Sequence, residues 1–420
     1  MNWKTLAQNR AAIKKNVLVV GVDIAKKWHV ANVVYPDGSF GQPLRFYNDV
    51  QGFEQFLAYI RKHQQLAGCS DAIIGFESTS HYWMNLAHWL DERQLRLVQV
   101  NPLHTKRSRD MLDNSPSGSD PKSALTIAML VSEGKYLQVI LPRGVYAVLR
   151  ELVVLRDQLM GDRTSWLNRL HAALDRLFPE FTDVFKSLKG RTALYLLRHY
   201  PSPEELLRKT ADELTIELRQ TCHKSVSPKK VEALQAKARV TVGIKEGRFQ
   251  ISMQLMTALS AVTAMTEQIR VLEDELERSV LAADESKQLL SIRGIGLITT
   301  AVILGETGGL RNYDHARTIL KLAGLNVYVV RSGQREGEHR ISKRGRTLLR
   351  KTLYFAALRL VRKGMALHEF YQGLVVREKR KKKAIVAAAC RLVRILYALV
   401  RDQRSYSEHW SPVGRVAAVA

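Results

Sequence analysis

The sequence predicts an α/β domain at the N-terminal end of the chain and a mainly helical remainder, on three observations. Short apolar runs that end in acids or turn residues alternate with helix-like stretches up to about residue 140. Beyond residue 145, apolar residues recur at spacings of three, four and seven instead. The third observation is length: 420 residues, 46% of them hydrophobic, suit two or three folded domains and exclude a disordered chain.

The elements follow in order. Residues 17–36, VLVVGVDIAKKWHVANVVYP, read as two strands: an apolar run ending at Asp23, then His29 to Tyr35, closed by a turn at Pro36-Asp37-Gly38. A third strand is expected near Ser39–Tyr47 and a helix over 51–66. Ala72–Phe76 is a short buried strand that ends at Glu77, and Leu95–Val100 is another. Residues 145–180 are expected to be helical through Leu152, Leu155, Leu159, Trp166, Leu170 and Leu177. Residues 255–282 repeat the pattern with Val262, Met265, Ile269, Leu272, Leu276 and Val280. The two stretches read equally as coiled-coil helices, within a stalk or a dimer, and as amphipathic core helices. Short helices with loops at Pro201-Ser202-Pro203 and Ser225–Pro228 fill the insert between them. From Leu289 a second globular region carries IRGIG, a Gly/Arg-rich stretch, a basic helix over Leu348–Lys363, the run REKRKKK at 377–383, and a last helix over Ala384–Gln403.

Charge narrows the function. There are 65 Lys and Arg against 40 Asp and Glu, a net charge of +25. The segment 331–404 holds 21 Lys and Arg and only 5 acids. Charge clustered in this way fits a polyanion, because neutralising phosphates releases condensed counterions. Cys69, Cys222 and Cys390 are too scattered for a zinc site, and read as reduced thiols in a cytoplasmic protein. No apolar stretch is long enough to span a membrane, and no signal core opens the chain.

Four constellations carry possible chemistry. Asp23 and Glu77 end strands, and Asp120 opens a helix, so the three can converge in one cleft. Hard cations such as Mg²⁺ or Mn²⁺ take oxygen ligands of this kind, and paired ions can clamp a reacting phosphodiester. A strand-borne acid followed at once by a hairpin is the RNase H-like arrangement, although acids at strand ends are also common as solvated residues. Second, Ser332 lies in a basic loop with Arg331, Gly333, Arg335, Arg340, Lys343 and Arg344. It reads as a nucleophile flanked by cations or as a phosphate-contacting loop, and the absence of an adjacent base favours the latter. Third, IRGIG before a helix resembles a helix-hairpin-helix element, with a plain helical hairpin as the alternative. Fourth, Lys381, Lys382 and Lys383 lie in a Lys-rich run, which is usually a solvated tail or linker; between helices of an already basic region it reads rather as a phosphate contact.

The pieces VGVDIAK, GFEST, VNPLHTKRSRD, DNSPSGSDPKSA, SIRGIGLITTAVILGE, KLAGLNVYVVRSG and ISKRGRTLLRKTL come in the order seen in one family. Through them the chain resembles the DEDD transposases of the Insertion Sequence 110 family, including its 1111 subgroup. The resemblance implies a RuvC-like nuclease domain over 1–145, a helical or coiled-coil stalk with an insert over 146–284, and a basic transposase domain over 285–420. It implies a DNA recombinase that chooses double-stranded donor and target DNA through a non-coding bridge RNA. By motif, Asp23, Glu77 and Asp120 are the metal-binding acids and Ser332 is the nucleophile. The implied assembly is a dimer to tetramer with shared active sites. One departure stands out: the family's fourth acid is here Ser123, and the lysine two residues before its third acid is Gly118. A serine hydroxyl offers a metal a neutral, weak ligand. Two rival readings follow: a structure-selective nuclease of the RuvC type, which needs no serine, and a catalytically impaired nucleic-acid-binding relative.

Overall fold

The apolar runs of the N-terminal region become a six-stranded mixed sheet. A computed structural model describes residues 3–13, 16–77, 80–111, 119–188, 190–222, 226–329, 339–378 and 380–407. Two units separate at residue 141, Met1–Leu141 and Pro142–Ala420.

In the first unit the order is α1 (Trp3–Ala12), β1 (Val17–Asp23), β2 (Trp28–Val34), β3 (Leu44–Tyr47), α2 (Val50–Ala67), β4 (Asp71–Glu77), α3 (Trp83–Asp91), β5 (Arg96–Val100), α4 (Pro102–Met111), α5 (Asp120–Ser132) and β6 (Leu137–Gln138). The strands lie in the order β3-β2-β1-β4-β5-β6. β1, β4 and β5 run parallel, while β2 is antiparallel to both β1 and β3. The third strand is shorter than expected, because Gly41 and Pro43 interrupt the run after Ser39 and only Phe40 bridges back to Val34.

Period-two alternation assigns the two faces of the sheet. Leu18, Val20 and Val22 of β1, with Ile74 and Phe76 of β4, pack with Phe53, Phe56 and Ile60 of α2 and Leu86 and Leu90 of α3. The odd-numbered Val17, Val19 and Ile73 meet Ile127, Ala128 and Val131 of α5 on the opposite face. Gly21 and Gly75 are register partners on this second face. A Cβ at Gly21 would lie 2.2 Å from the Ala124 carbonyl oxygen and 2.3 Å from the Ala128 nitrogen, so the α5 backbone rests directly on β1 there. Only glycine permits that approach.

The second unit is mostly helical: α6 (Val145–Leu177), α7 (Phe181–Val184), α8 (Arg191–His199), α9 (Pro203–Leu206), α10 (Ala211–Cys222), α11 (Pro228–Arg239), α12 (Arg248–Ala282), α13 (Ser286–Leu290), α14 (Leu297–Thr307), α15 (Ala316–Leu322), β7 (Val327–Val329), β8 (His339–Ile341), α16 (Thr347–Leu360), α17 (His368–Glu378) and α18 (Lys381–Arg401). The long helices α6 and α12 pack along one another. Their apolar stripe is broken: Leu170 and Leu177 are buried, but Leu155 is 44% exposed. An Arg156–Glu273 ion pair links the helices there. α14 crosses α6 closely at Gly305, and buried Glu306 is held by Arg150 and Arg346. The last helix begins at Lys381 rather than Ala384, because the lysines are good helix formers and supply its first turn. No helix among the described residues is long and apolar enough to cross a membrane.

Candidate active site

Asp23 continues the odd-numbered face of β1 two residues beyond Gly21, and Glu77 continues the same face of β4 two residues beyond Gly75. Both acids therefore emerge at the carboxyl ends of parallel strands, on the side covered by α5. The contact at Gly21 brings the N-terminal turn of α5 to the same place. Ser119 caps that helix by accepting a hydrogen bond from the Lys122 N–H, which starts the helix at Asp120. A carboxylate in the first turn also faces the positive end of the helix dipole.

Asp23, Glu77, Asp120 and Ser123 line one cavity of about 470 Å³ together with Ser119. Its other wall is α4, which contributes Thr105, Lys106 and Arg109. Lys106 and Arg109 are three residues apart and share a helix face. The sequence does not single out these two cations, because VNPLHTKRSRD is a short basic helix in a basic chain and has no distinguishing period.

The electrostatics identify Asp23 as the strained member. Its pKa is raised from 3.8 to about 6, first by burial and then by the charges of Asp120 and Glu77. The Ser123 hydroxyl and the Ile24 N–H donate hydrogen bonds that oppose the rise. Ser123 is thus a buried donor to Asp23. Oxygen donors of this set are the kind a hard divalent cation takes, and a cation would relieve the repulsion that raises Asp23. Among the described residues no three His, Cys, Asp or Glu side chains form a group tight enough to hold an ion, so donor type and charge fit while a closed cage is not preformed.

In the second unit, the strands β7 and β8 pair as a hairpin with Tyr328 opposite Arg340. Arg331, Ser332 and Arg335 fall between these strands and lie outside the described residues. The base of the hairpin is tied down: Lys343, in a left-handed conformation at φ 54°, donates its N–H to the Gly324 carbonyl, and Arg350 donates to the Ala323 and Lys343 carbonyls. Arg344 is exposed beside it. IRGIG joins α13 to α14 through Gly294 at φ 101°. Lys381 and Lys382 are exposed on the first turn of α18 and Lys383 is half-buried.

Two family models match this chain. One, described as a transposase, covers residues 20–179, and the other, the transposase IS116/IS110/IS902 family, covers residues 286–372. The chain belongs to the IS110/IS116/IS902 family of transposases. Similar proteins include the uncharacterized 44.8 kDa protein of insertion element IS116 from Streptomyces clavuligerus, 23% identical over 92% of this chain and 96% of that protein. The uncharacterized 42 kDa protein of IS900 from Mycobacterium paratuberculosis is 26% identical over 61% of this chain and 65% of that protein. The transposase for IS1111A of Coxiella burnetii is 27% identical over 32% and 38%. Among solved structures, T. thermophilus RuvC in complex with a Holliday junction substrate matches at 13% identity and a TM-score of 0.22, over 29% of this chain and 99% of RuvC; so slight a likeness has no bearing on function. Within the transposase, the first matched region runs from β1 through α6 and holds the whole acid cavity. The second runs from α13 into α17 and holds the β7–β8 hairpin.

Proposed function

We propose that this insertion-sequence transposase is an RNA-guided DNA recombinase that breaks and exchanges DNA strands through a transient bond between Ser332 and DNA. The observation that carries the reading is the shared cavity of Asp23, Glu77, Asp120 and Ser123, with Lys106 and Arg109 facing it from α4. Carboxylates at strand ends beside cations suit a phosphodiester: the acids hold a counter-cation and the Lys/Arg pair holds phosphate oxygens. Asp23, Glu77 and Asp120 would hold Mg²⁺ or Mn²⁺, with Ser123 as a neutral fourth oxygen. A bound ion would supply Lewis-acid stabilisation of charge on phosphate oxygens. Ser332 Oγ would attack phosphorus as the bond to the leaving sugar oxygen breaks, the serine proton passing through water to that oxygen to leave a free sugar hydroxyl, while Arg331 and Arg335 neutralise the developing charge. Arg340, Lys343, Arg344 and Lys381–Lys383 would bind backbone phosphates of the donor and target duplexes. The guide RNA and a dimeric to tetrameric assembly follow from the family resemblance.

A second reading, a structure-selective nuclease, would use the same cavity and needs no serine. One experiment separates the two. Purified protein, end-labelled DNA of the element's flanks and the adjoining transcribed RNA are incubated with Mg²⁺ and run on a denaturing gel. A labelled protein–DNA adduct in the parent, absent in Ser332→Ala and in RNA-free reactions, is the expected result. Cut DNA that never carries protein and is indifferent to Ser332→Ala overturns the recombinase in favour of the nuclease.

A further inference from the structure

The cavity does not use everything at its end of the sheet. β2 runs antiparallel to β1, and β3 antiparallel to β2, so Trp28, which begins β2, and Tyr47, which ends β3, lie at the same end as Asp23. The two aromatic residues are register partners, with ring centroids 6.2 Å apart and planes at 69°. The Arg45 guanidinium lies over the Trp28 ring, 3.6 Å from its centroid. Tyr47 is 61% exposed on the edge strand, and Val50 beside it is 60% exposed. Lys26 and Lys27 are exposed in the turn that leads from Asp23 to Trp28.

That turn is held in shape. The Ala25 N–H donates to Nδ1 of buried His29, and Asn48, next to Tyr47, donates from its backbone N–H to the Lys27 carbonyl and from its side chain to the Lys26 carbonyl. The nearest acid in sequence, Asp49, is committed as the cap of α2 and accepts from Gly52. The ensemble is a held, cationic surface with a flat element in the Arg45 guanidinium on Trp28, and Tyr47 edge-on beside it. A guanidinium stacked on one face against an indole offers its other face to a second flat group. An apolar peptide would gain little from three cations, whereas a nucleotide supplies both the flat group and the phosphate.

We propose that Trp28, Arg45 and Tyr47, flanked by Lys26 and Lys27, form a stacking site for an unpaired nucleobase of a single strand that passes the acid cavity. Stacking is indifferent to sequence because every base has a π-face, and the lysines track the phosphates on either side. The ligand is a single-stranded nucleic acid, either a looped segment of guide RNA or a DNA strand opened from its duplex. The inference rests on the reading that this chain handles nucleic acid and is independent of the serine step.

The full-length protein is titrated with short single-stranded DNA, single-stranded RNA and duplex DNA, each carrying 2-aminopurine as the base probe. Tyr47→Ala should weaken binding of a single strand about five- to a hundredfold, with loss of 2-aminopurine quenching, and leave duplex affinity unchanged. Tyr47→Phe should restore both. Arg45→Lys, which keeps the charge but removes the plane, should also weaken single-strand binding. Loss with RNA alone assigns the site to the guide, loss with DNA alone to the opened strand, and either outcome supports the site. Unchanged single-strand affinity in both Tyr47→Ala and Arg45→Lys overturns it, as does an equal fall for duplex and single strand. Stacking that persists while no adduct forms would sink the recombinase alone; an adduct with no stacking would sink this inference alone.

Discussion

Asp23 carries a conflict that can be measured without any assay of recombination. A carboxyl group raised from 3.8 to about 6 in the folded protein prefers to be protonated there. The folded chain therefore binds that proton more tightly than the unfolded chain, and ionised Asp23 opposes folding. The penalty is nearly complete above pH 6 and is relieved as pH falls from about 6 towards about 4; the shift corresponds to about 3 kcal/mol, which solvent screening of a partly exposed group reduces to the order of 2 kcal/mol. In EDTA at pH 7.5, Asp23→Asn should accordingly raise the melting temperature, and in Mg²⁺ the same change should abolish DNA cleavage. The advantage should shrink at pH 5. A parent as stable as Asp23→Asn at pH 7.5 would contradict the repulsion. Ser123 sharpens the test because its hydroxyl opposes the rise at Asp23. Ser123→Asp removes that donor and adds a charge, so it should lower the melting temperature in EDTA by a few degrees, for about 1–2 kcal/mol. With Mg²⁺ present it should bind the ion more tightly and raise activity most at low Mg²⁺, as titration calorimetry and cleavage rates would show. Equal Mg²⁺ affinity in parent and variant would mean that the serine position does not contact the ion.

At the scale of elements, the site depends on how closely α5 approaches the sheet. A Cβ at Gly21 would strike backbone atoms at 2.2 and 2.3 Å, which cannot move without moving the helix. A Cβ at Gly75 would meet the end of the Val131 side chain at 2.4 Å, which can rotate. Gly21→Ala should cost about 3 kcal/mol or more and Gly75→Ala about 1–2 kcal/mol in urea unfolding, since overpacking depends on what can yield. Gly21→Ala should also lose cleavage beyond its effect on stability, because Asp120 and Ser123 ride on the displaced helix. If both alanines cost the same, the backbone contact is not what sets α5. This explains what could be read from the sequence. Acids at the ends of alternating apolar strands announce Asp23 and Glu77, and Ser119-Asp120-Pro121 announces a helix start. Lys106 and Arg109 have no such signal, since only the fold turns α4 towards the cavity. The two-residue β6 is too short to have a period, and Leu155 sits on the apolar stripe of α6 yet is exposed, next to Arg156, whose ion pair with Glu273 joins that helix to α12.

At the scale of the whole molecule the question is what the surplus of positive charge does. The segment 331–404 holds 21 of the 65 Lys and Arg, and part of it stands where the fold gives it no local benefit. Lys381, Lys382 and Lys383 form the first turn of α18, the positive end of the helix dipole, with no acid in that turn. Cations there are unfavourable to the helix by a few tenths of a kcal/mol each. Charges held at the wrong end of a helix suggest a polyanion as their partner. Replacing all three with alanine should therefore raise the melting temperature slightly, because the dipole penalty goes and alanine favours the helix. The same change should weaken duplex DNA binding alike for all sequences. For the two exposed lysines, the slope of log affinity against log salt should become shallower by about 1.8, at about 0.9 for each phosphate no longer neutralised. Half-buried Lys383 should add less. Calorimetry for stability and fluorescence anisotropy over a salt series for affinity give the two readouts on one preparation. Higher stability with an unchanged salt slope would make the run a solvated helix end and move the DNA-binding role to the β7–β8 hairpin. Lower stability would mean that the lysines already have partners within the fold.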